Sequence, residues 1–439
     1  MSDVVGIVQQ LIRNRCVNDG TPESGEELRN ADVLTNFLEG AGLEVERITT
    51  APGRANVVAR IEGSDPNAPT LCLLGHTDVV PVNEERWQHD PFCGDLIDGY
   101  VWGRGAIDMF NLTGSMAVAM KHLAASGFTP KGTLIYAAVA DEEAGGHYGA
   151  EQLVEHEADH VRCDYVITES GGMPLDSPAG LRLPVLTDEK GPMWSRLRVN
   201  GTPGHGSMPY EADNALIKAA EIVRRLAEWR PVARIDDVWR GFVEGLGIPA
   251  ELAEPMLRAE GFEEGIAVLP PGLKKMAYSC THTTITPTVM HGGSKVNIIP
   301  ETVDIDFDVR TLPGHGRADV EAMLAEVIGD LADCVEIQVG REDAATESPI
   351  DTPLWDSMTR VARQFYADAT LLPMRMPGTT DARHFRRAGA VGYGFGLFSR
   401  NMGLEELATM GHGDNERVDV ESLEMCTQLF ESLARDFLG

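Results

Sequence analysis

A short apolar run, Leu71-Cys72-Leu73-Leu74, leads directly into Gly75-His76-Thr77-Asp78. Two later segments repeat this arrangement: residues 133–140 lead into Asp141-Glu142-Glu143, and Tyr165-Val166-Ile167 leads into Thr168-Glu169. Apolar runs of this length between polar turns are typical of strands buried in a parallel sheet. Ligands of open α/β sheets bind beyond the carboxyl ends of the strands. The three runs therefore predict that imidazole and carboxylate groups meet at one sheet edge, which is a candidate metal site.

Size and charge limit the class of protein. A chain of 439 residues exceeds what one hydrophobic core usually serves, which predicts two or three domains, and 43% hydrophobic residues are enough to build a sizeable core. The formal net charge of −31 argues against nucleic-acid and membrane partners, because both bind basic surfaces. We interpret most of this acidity as a solvated surface, with a small share of the carboxylates available to hold metal.

The cysteines indicate a reducing compartment. All seven are scattered along the chain, and none belongs to a Cys-x-x-Cys pair. An odd number of unpatterned cysteines favours reduced thiols over a disulfide framework. The first 15 residues do not resemble a signal peptide, and no apolar run is long enough to span a bilayer. We therefore predict a soluble, cytoplasmic protein.

Strand and helix patterns alternate along the first part of the chain. Ser24 and Glu27 have the spacing of a capping box, which predicts a helix running to about residue 40. Further strands and helices are predicted in the order strand 56–61, strand 71–74, helix 111–126, strand 133–140, helix 148–156 and strand 164–168. From residue 353 this pattern resumes, with a last helix from about 421. The alternation predicts an α/β fold with a doubly wound, mostly parallel sheet.

A different pattern interrupts this one near residues 188–192. It contains an alternating strand at 193–199, an amphipathic helix at 212–228, strands near 295–299 and 302–311 joined by a Pro300-Glu301 turn, a helix at 318–331 and a strand at 334–339. This order predicts an α+β unit with antiparallel pairing. We therefore expect a discontinuous larger domain, residues 1–190 and 346–439, with an inserted domain at 191–345. Residues of about 229–273 form a further helical insertion to which the sequence assigns no clear core role.

The candidate ligands suit zinc or a similar cation, which binds imidazole nitrogen and carboxylate oxygen. His76 is a plausible first ligand, and Asp78 is well placed to orient its ring. Three carboxylates and a second imidazole complete the candidates: Asp108, Glu143, Glu169 and His412. Alone, a histidine at a strand end is more often structural, and adjacent acids are more often a solvated helix start. Together, ligands at corresponding points of one sheet edge favour a metal site.

The glycine-rich turn around Asp108 has an alternative interpretation. Gly103-Arg104-Gly105-Ala106-Ile107-Asp108 precedes a predicted helix, and such a turn can cradle phosphate. It lacks, however, both the Gly-x-Gly-x-x-Gly pattern and the Gly-Lys-Ser/Thr pattern of nucleotide-binding loops. Asp108 therefore remains a candidate ligand, and a carboxylate at this position can bridge two ions.

These residues and their neighbours resemble the motifs of the M20 metallopeptidases, a family that includes acetylornithine deacetylase, succinyl-diaminopimelate desuccinylase, aminoacylase, carnosinase and carboxypeptidase G2. Leu74-Gly75-His76-Thr77-Asp78-Val79-Val80-Pro81 is similar to the first family motif, Gly103 to Met109 to the second, and Asp141-Glu142-Glu143 to the third. The inserted domain resembles the family's lid, often a dimerisation domain, with Gly201-Thr202-Pro203-Gly204-His205-Gly206-Ser207 as its signature. The resemblance covers nearly the whole chain.

The resemblance implies a site for two divalent metal ions, usually zinc, with cobalt or manganese as alternatives. His76, Asp108 and Glu169 would bind one ion, and Asp108, Glu143 and His412 the other. His384 is a competing candidate for the last position, but the Gly-His-Gly context favours His412. Glu142 would be the general base that takes a proton from a water held between the ions, with Asp78 in support.

The resemblance also implies which residues bind the substrate. His205 would reach over from a neighbouring subunit of a homodimer formed through the lid, and would stabilise the tetrahedral intermediate. Arg310 and Asn297 match positions that hold a substrate carboxylate. Gly378 and Thr379 belong to a segment that is similar to the family's glycine-threonine substrate loop.

The resemblance thus implies a hydrolase, of metallopeptidase, carboxypeptidase or deacylase type, that cleaves a peptide or N-acyl amide bond of a small carboxylated substrate. The long helical insertion leads us to favour dipeptides or N-acyl amino acids. Two alternatives remain at this point: a catalytically silent binding protein on the same fold, and a two-metal aminopeptidase of an unrelated type. The complete ligand set argues against the first, and His205 and Arg310 would be unnecessary in the second.

Overall fold

The computed structural model describes residues 2–340 and 342–439. Its strands are β1 (Glu44–Ala51), β2 (Arg54–Ile61), β3 (Leu71–His76), β4 (Leu96–Ile97), β5 (Tyr100–Trp102), β6 (Leu134–Val139), β7 (Tyr165–Thr168), β8 (Leu175–Ser177), β9 (Gly180–Glu189), β10 (Gly191–Pro192), β11 (Ser195–Asn200), β12 (Gly204–His205), β13 (Thr284–Gly292), β14 (Ile298–Ile299), β15 (Thr302–Thr311), β16 (Val335–Val339), β17 (Thr346–Glu347), β18 (Thr370–Met376), β19 (Val391–Gly394) and β20 (Arg417–Asp419). Its α-helices are α1 (Asp3–Arg13), α2 (Leu28–Leu38), α3 (Phe110–Ala125), α4 (Ala150–His156), α5 (Ala158–Val161), α6 (Ala215–Glu228), α7 (Asp237–Gly245), α8 (Ala250–Met256), α9 (Phe262–Ile266), α10 (Pro271–Thr281), α11 (Arg317–Ile328), α12 (Pro353–Phe365), α13 (Ala382–Arg387), α14 (Leu404–Met410) and α15 (Val420–Leu438).

A large mixed sheet forms the centre of the molecule. Its strands follow the order β1-β2-β6-β3-β7-β19-β9-β17, with β8 and β18 also pairing with β9. The central pairs β6–β3, β3–β7 and β7–β19 are parallel, whereas β1, β2 and β17 pair antiparallel at the two ends. The predicted α/β fold with a mostly parallel central sheet is confirmed.

Both faces of this sheet are buried, as the apolar strands predict. Along β3, Leu71 and Leu73 pack into one hydrophobic core, and Cys72 and Leu74 pack into another on the opposite face. The first core contains residues of α1, α2, α3, α12 and α15, and the second contains residues of α4 and α13. Helices therefore cover the sheet on both sides, which is the doubly wound arrangement.

A second, antiparallel sheet lies within the inserted segment. Its strands follow the order β10-β15-β11-β16, and β13 pairs with the other side of β15. One face packs against α6 and α11 in a separate core. The other face carries acid–arginine pairs, of which Arg196–Asp306 and Arg198–Asp304 lie directly opposite each other on β11 and β15. Because β9 leads into β10 through Lys190 alone, the two sheets are joined by a very short connection.

The helices of the insertion have a hydrophobic core of their own, to which the sequence assigned no role. Residues of α7 to α10, including Trp239 and Phe242, pack around Leu372, which belongs to β18 of the large sheet. The buried guanidinium of Arg375, also on β18, donates hydrogen bonds to Asp188 of β9 and to Asp236 before α7, both at 2.6 Å. The insertion therefore docks against the edge of the large sheet.

Two local predictions are wrong. Ser24 and Glu27 do not form a capping box: α2 begins only at Leu28, and Glu27 is buried, with its carboxylate 2.5 Å from the Arg54 guanidinium. Burial of Arg54 makes this ion pair more favourable than a helix cap, since an unpaired buried charge is strongly destabilising. The strand predicted near 295–299 is shortened to β14, which pairs with β12 and not with β15 across the Pro300-Glu301 turn.

No helix in the described part of the chain is long and apolar enough to cross a membrane.

Candidate metal and substrate site

Adjacent parallel strands bring the predicted residues to one edge of the large sheet. His76 is the last residue of β3, a single 3-10 turn at Glu142–Ala144 follows β6, and Glu169 follows β7. Since β6 and β7 flank β3 on either side and run parallel to it, their carboxyl ends lie next to one another. The sheet topology thus places imidazole and carboxylate groups side by side, as the three apolar runs predict.

Asp108 lies between two histidines at the centre of the site. Its Oδ1 is 3.1 Å from Nε2 of His76, and its Oδ2 is 3.1 Å from Nε2 of His412. Nε2 of His412 is also 3.1 Å from Oε2 of Glu143. Two groups of potential ligand atoms result, His76–Asp108–Glu169 and Asp108–Glu143–His412, and within each group the atoms lie within 4.8 Å of one another. Asp108 is the member that both groups share.

The charges of these groups fit divalent cations. Four carboxylates, those of Asp108, Glu142, Glu143 and Glu169, converge on one cavity. Within the described part of the chain, no lysine or arginine forms an ion pair with any of them. One oxygen of Glu143, Oε1, is buried without a hydrogen-bond partner. Buried carboxylates without cationic side chains are unfavourable, and bound metal ions would compensate their charge.

The pKa values of the clustered groups reflect their burial and their neighbours. Burial, reinforced by the charge of Glu169, raises the pKa of Glu142 well above its usual range. Burial and the neighbouring Asp108 raise the pKa of Glu143 to about 6. Hydrogen bonds to Asp108 and Glu143 raise the pKa of His412 to about 10. Burial likewise raises the pKa of Glu169 well above its usual range. Burial and mutual repulsion therefore disfavour the charged forms of these carboxyl groups, which a bound cation would stabilise.

Asp78 contacts the turn that carries Glu142 and Glu143 through its carboxylate, and it contacts His76 mainly through its backbone oxygen. Its Oδ1 accepts a hydrogen bond from the backbone N–H of Glu142 at 3.2 Å, and its Oδ2 accepts one from Glu143 at 3.1 Å. Nδ1 of His76 lies 3.1 Å from the backbone oxygen of Asp78 and 3.5 Å from its carboxylate. The predicted orienting partner of His76 is therefore chiefly the backbone oxygen, and the Asp78 carboxylate fixes the turn that carries Glu142 and Glu143.

A buried ion pair that the sequence analysis missed joins the loops of Asp108 and His412. Glu416 is fully buried, and its carboxylate accepts hydrogen bonds from Arg104 at 2.6 Å, from the backbone N–H of Ile107 at 2.7 Å and from that of Asp108 at 3.1 Å. Arg104 also donates to the backbone oxygen of Gly413 at 2.9 Å. Arg104 lies within the quoted glycine-rich turn and Glu416 follows His412 by four residues, but only the fold shows that they meet.

A cavity of about 730 Å³ opens next to the candidate metal ligands. Residues from the strand ends, the domain connections and the predicted substrate loop line it: Asp108, Glu142, Glu143, Ala144, Gly145, His147, Glu169, Pro192, Trp194, Arg310, Gly340, Asp343, Met376, Gly378, Thr379, Arg383 and His412. Arg310 donates to Asp308 at 2.8 Å and to the hydroxyl of Thr379 at 3.3 Å. The structure therefore brings Arg310, Gly378 and Thr379 to the same cavity as the candidate metal ligands.

Two predicted residues lie away from this cavity. His205 on β12 and Asn297 before β14 are both exposed, and neither lines the cavity within the single chain. The backbone N–H of Ser207 donates to Nδ1 of His205 at 3.1 Å, so the proton of the neutral ring is on Nε2. His384, the competitor of His412, lies in α13 and belongs to neither of the two ligand groups.

Comparisons with known proteins agree with this geometry. The sequence profile of Peptidase family M20/M25/M40 matches residues 72–436. Aminoacylase-1 of Sus scrofa is 27% identical over 439 residues, which cover 98% of this chain and 95% of that protein. Aminoacylase-1 of Homo sapiens is 27% identical over 435 residues, with the same coverage.

Solved structures show the same fold. An M20 family metallo-carboxypeptidase from Sulfolobus solfataricus has a TM-score of 0.75 at 19% identity, covering 100% of this chain and 99% of its own. A dinuclear metal-binding peptidase of the M20 family from Bacillus subtilis has a TM-score of 0.62 at 13% identity, covering 98% and 97%.

The fold and the site define a metal-dependent amidohydrolase. The chain belongs to Peptidase family M20/M25/M40. This membership argues against both a silent binding protein and a two-metal aminopeptidase of an unrelated type.

Proposed function

We propose that the chain hydrolyses the amide bond of N-acyl amino acids at a centre of two divalent cations. The observation that supports this most directly is the position of Asp108, whose two oxygens each face one histidine and which belongs to both ligand groups. His76, Asp108 and Glu169 would hold one cation, and Asp108, Glu143 and His412 the other. Imidazole and carboxylate ligands suit zinc, with cobalt and manganese as alternatives.

Glu142 is the general base of the proposed reaction. Two bound cations acidify a water molecule and polarise the scissile carbonyl. Glu142 lines the cavity but belongs to neither ligand group, so its carboxylate is available to take a proton from the attacking water and to deliver it to the leaving amine. The hydrogen bonds from the backbone of Glu142 and Glu143 to Asp78 keep the base and the neighbouring ligand pointing in fixed directions.

Arg310 provides the site for the substrate carboxylate, in the loop region formed by Gly378 and Thr379. Arg383 also lines the cavity, but its guanidinium is already occupied by Asp343 at 2.9 Å and by the backbone oxygen of Thr380 at 2.7 Å. The guanidinium of Arg310 donates hydrogen bonds to Asp308 and to Thr379 at the cavity wall. A carboxylate that binds Arg310 gains charge-assisted hydrogen bonds.

The acidic residues that line the cavity favour a substrate with an N-acyl group over a substrate with a free amino terminus. A dipeptide ammonium would need a carboxylate partner in the cavity, but the acids that line it are the proposed ligands, the proposed base and Asp343. Asp343 is paired with both Arg383 and Arg387. Within the described lining, an uncharged acyl group therefore fits better than an ammonium group.

A homodimer would complete the site. We propose that residues 191–345 form a lid and dimerisation domain, and that residues 1–190 and 346–439 form the catalytic domain. Exposed apolar side chains cluster in sequence around His205 and Asn297, with Tyr210 86% exposed and Val296 fully exposed. Such a surface is typical of a protein–protein contact. In the dimer, His205 of one subunit would donate its Nε2–H to the oxyanion in the other subunit, and Asn297 would approach the same substrate.

The seven cysteines are all free thiols, which supports our proposal of a cytoplasmic location.

The direct test is a hydrolysis screen of N-acetyl amino acids and dipeptides with metal-free protein reloaded with zinc, cobalt or manganese. We expect metal-dependent release of free amino acids, with N-acyl substrates ahead of dipeptides. Glu142→Gln should retain the metals and lose about 10²- to 10⁴-fold in turnover, the usual contribution of a general base. Full turnover by Glu142→Gln, or no hydrolysis of any of these substrates, would overturn the proposal.

A further inference from the structure

The buried carboxylate of Glu189, at the end of β9, holds the predicted substrate loop. Its Oε2 accepts hydrogen bonds from the backbone N–H of Thr380 at 2.6 Å and from the hydroxyl of the same residue at 2.9 Å. Its Oε1 accepts one from the hydroxyl of Thr346 at 2.7 Å and one from the guanidinium of Arg386 at 2.7 Å. Because Thr380 directly follows Thr379, this carboxylate fixes the backbone of the loop.

The residues after Glu189 contact the same loop and also the strand that carries Arg310. The backbone oxygen of Lys190 accepts a hydrogen bond from the hydroxyl of Thr379 at 3.1 Å. Pro192 pairs with Arg310 in the antiparallel ladder of β10 and β15. The segment from Glu189 to Pro192 therefore contacts both halves of the proposed carboxylate site, Arg310 on β15 and the loop after β18.

The two halves meet at the hydroxyl of Thr379. This hydroxyl accepts a hydrogen bond from Arg310 at 3.3 Å while it donates to Lys190. A guanidinium group only donates hydrogen bonds, so its direction depends on the acceptors around it. The carboxylate of Asp308, at 2.8 Å, is another acceptor of Arg310. A shift of the loop would remove the Thr379 acceptor and would leave Arg310 turned towards Asp308.

We propose that Glu189 is a positioning residue for the substrate carboxylate: it holds Thr380 in place, and thereby keeps Thr379 and Arg310 in the arrangement that binds the carboxylate. This inference rests on the proposed function and assigns a further residue to its substrate specificity. Glu189 does not line the active-site cavity, so it acts through the loop and not by contact with the substrate. Its role is selectivity for N-acyl amino acids over the corresponding amides.

Glu189→Gln should displace the loop in particular. Arg386 can only donate hydrogen bonds, so we expect the amide oxygen of the glutamine to face it. The NH₂ group then faces the backbone N–H of Thr380, which loses its acceptor. A buried donor without an acceptor is unfavourable, and the loop should move to relieve it. Small displacements of groups that position a substrate have large effects on its binding and turnover.

Steady-state kinetics of N-acetyl-L-methionine and N-acetyl-L-methioninamide with the metal-loaded protein test this role. In Glu189→Gln we expect KM for the acid to rise about tenfold, kcat to change less than about twofold, and KM for the amide to change less than about twofold. In the Arg310→Met background, Glu189→Gln should cause no further rise, because the group that it positions is gone. Equal rises for acid and amide, or effects that multiply in the double variant, would overturn the positioning role.

Thr380→Val and Thr346→Val are a matched pair that tests the same role if Glu189→Gln does not fold. Each removes one hydroxyl that donates to the Glu189 carboxylate, on the loop side in Thr380→Val and on the Arg386 side in Thr346→Val. We expect KM for N-acetyl-L-methionine to rise about threefold in Thr380→Val and to change less than about 1.5-fold in Thr346→Val. Equal changes in the two variants would contradict the proposal.

A binding measurement separates this inference from the proposed reaction. In metal-loaded Glu142→Gln, calorimetry should show that Glu189→Gln weakens binding of N-acetyl-L-methionine about tenfold and binding of the amide less than about twofold. If this difference appears but the wild type hydrolyses no N-acyl amino acid, the proposed function fails and the positioning role stands. If N-acyl amino acids are hydrolysed and the difference is absent, the positioning role is wrong and the proposed function stands. If the acid is neither bound nor hydrolysed, both fail.

Discussion

The carboxylate of Glu416 accepts a hydrogen bond from the backbone N–H of Asp108 at 3.1 Å, although the two residues are 308 positions apart. Arg104 pairs with the same carboxylate and also holds the backbone of Gly413, next to His412. One buried ion pair therefore sets the relative position of the shared carboxylate and of the histidine that faces it.

Glu416→Gln should weaken metal binding without changing the ligands themselves. An amide cannot accept from Arg104 and from the backbone at once without turning its NH₂ group towards one of these donors. Loss of a supporting hydrogen bond typically lowers metal affinity about 10- to 100-fold. Competition with a chromogenic chelator measures the change, and Glu424→Gln, an exposed acid on α15, is the control. Unchanged affinity at both sites would show that Glu416 does not position the ligands.

Asp78→Asn should lower kcat with little change in KM. Oδ2 of Asp78 accepts from Asn18 at 2.9 Å and from the backbone of Glu143 at 3.1 Å, while Oδ1 accepts from the backbone of Glu142 at 3.2 Å. An asparagine must point its NH₂ group at one of these donors, which displaces the turn that carries the base. Steady-state kinetics should show a fall of about 10- to 100-fold in kcat. A change confined to KM would contradict this role.

Arg310→Met should impair binding of carboxylated substrates in particular. Hydrogen bonds to a charged group contribute about 1.5–3 kcal/mol, so we expect KM for an N-acyl amino acid to rise by about 10- to 100-fold. The matching N-acyl amino acid amide, which has no carboxylate, should be affected much less. Comparison of the two substrates in wild type and variant provides the measurement. Equal losses on both substrates would assign Arg310 a structural role instead.

His384→Gln should reduce the loss of stability of the metal-free protein in acid. Burial, with the charge of Arg383, lowers the pKa of His384 from its ordinary value of 6.5 to about 3. In the unfolded chain the ring takes up a proton near pH 6.5, whereas in the folded protein it does so only near pH 3. Stability is therefore lost as pH falls through this window. The urea midpoint should fall further from pH 7 to pH 4.5 in the wild type than in the variant, and an equal fall in both would exclude His384 as a source of the acid sensitivity.

The sequence predicts that the candidate ligands lie together, because their positions depend on simple geometry. Leu71-Cys72-Leu73-Leu74 and its two counterparts form adjacent parallel strands, whose ends must share an edge of the sheet. Partners that are distant in sequence could not be predicted in this way. The contact between Arg104 and Glu416 spans 312 positions, and the insertion core takes Leu372 from a strand about a hundred residues further along.

A local sequence pattern gave a wrong prediction where a tertiary contact is more favourable than the local one. Ser24 and Glu27 have the spacing of a capping box, but the buried Arg54 recruits the Glu27 carboxylate. His205 and Asn297, whose roles the family resemblance implies, lie outside the cavity of the single chain, and those roles stay predictions that require a second subunit.

The number of metal ions bound per chain tests the central claim most directly. Metal-free protein is reloaded with zinc, dialysed and analysed by mass spectrometry, alongside Glu143→Ala and Asp108→Ala. Since Asp108 belongs to both ligand groups and Glu143 to only one, we expect about two ions in the wild type, about one in Glu143→Ala and almost none in Asp108→Ala. A wild type that binds no zinc, or an Asp108→Ala protein that binds as many ions as the wild type, would contradict the shared two-metal centre.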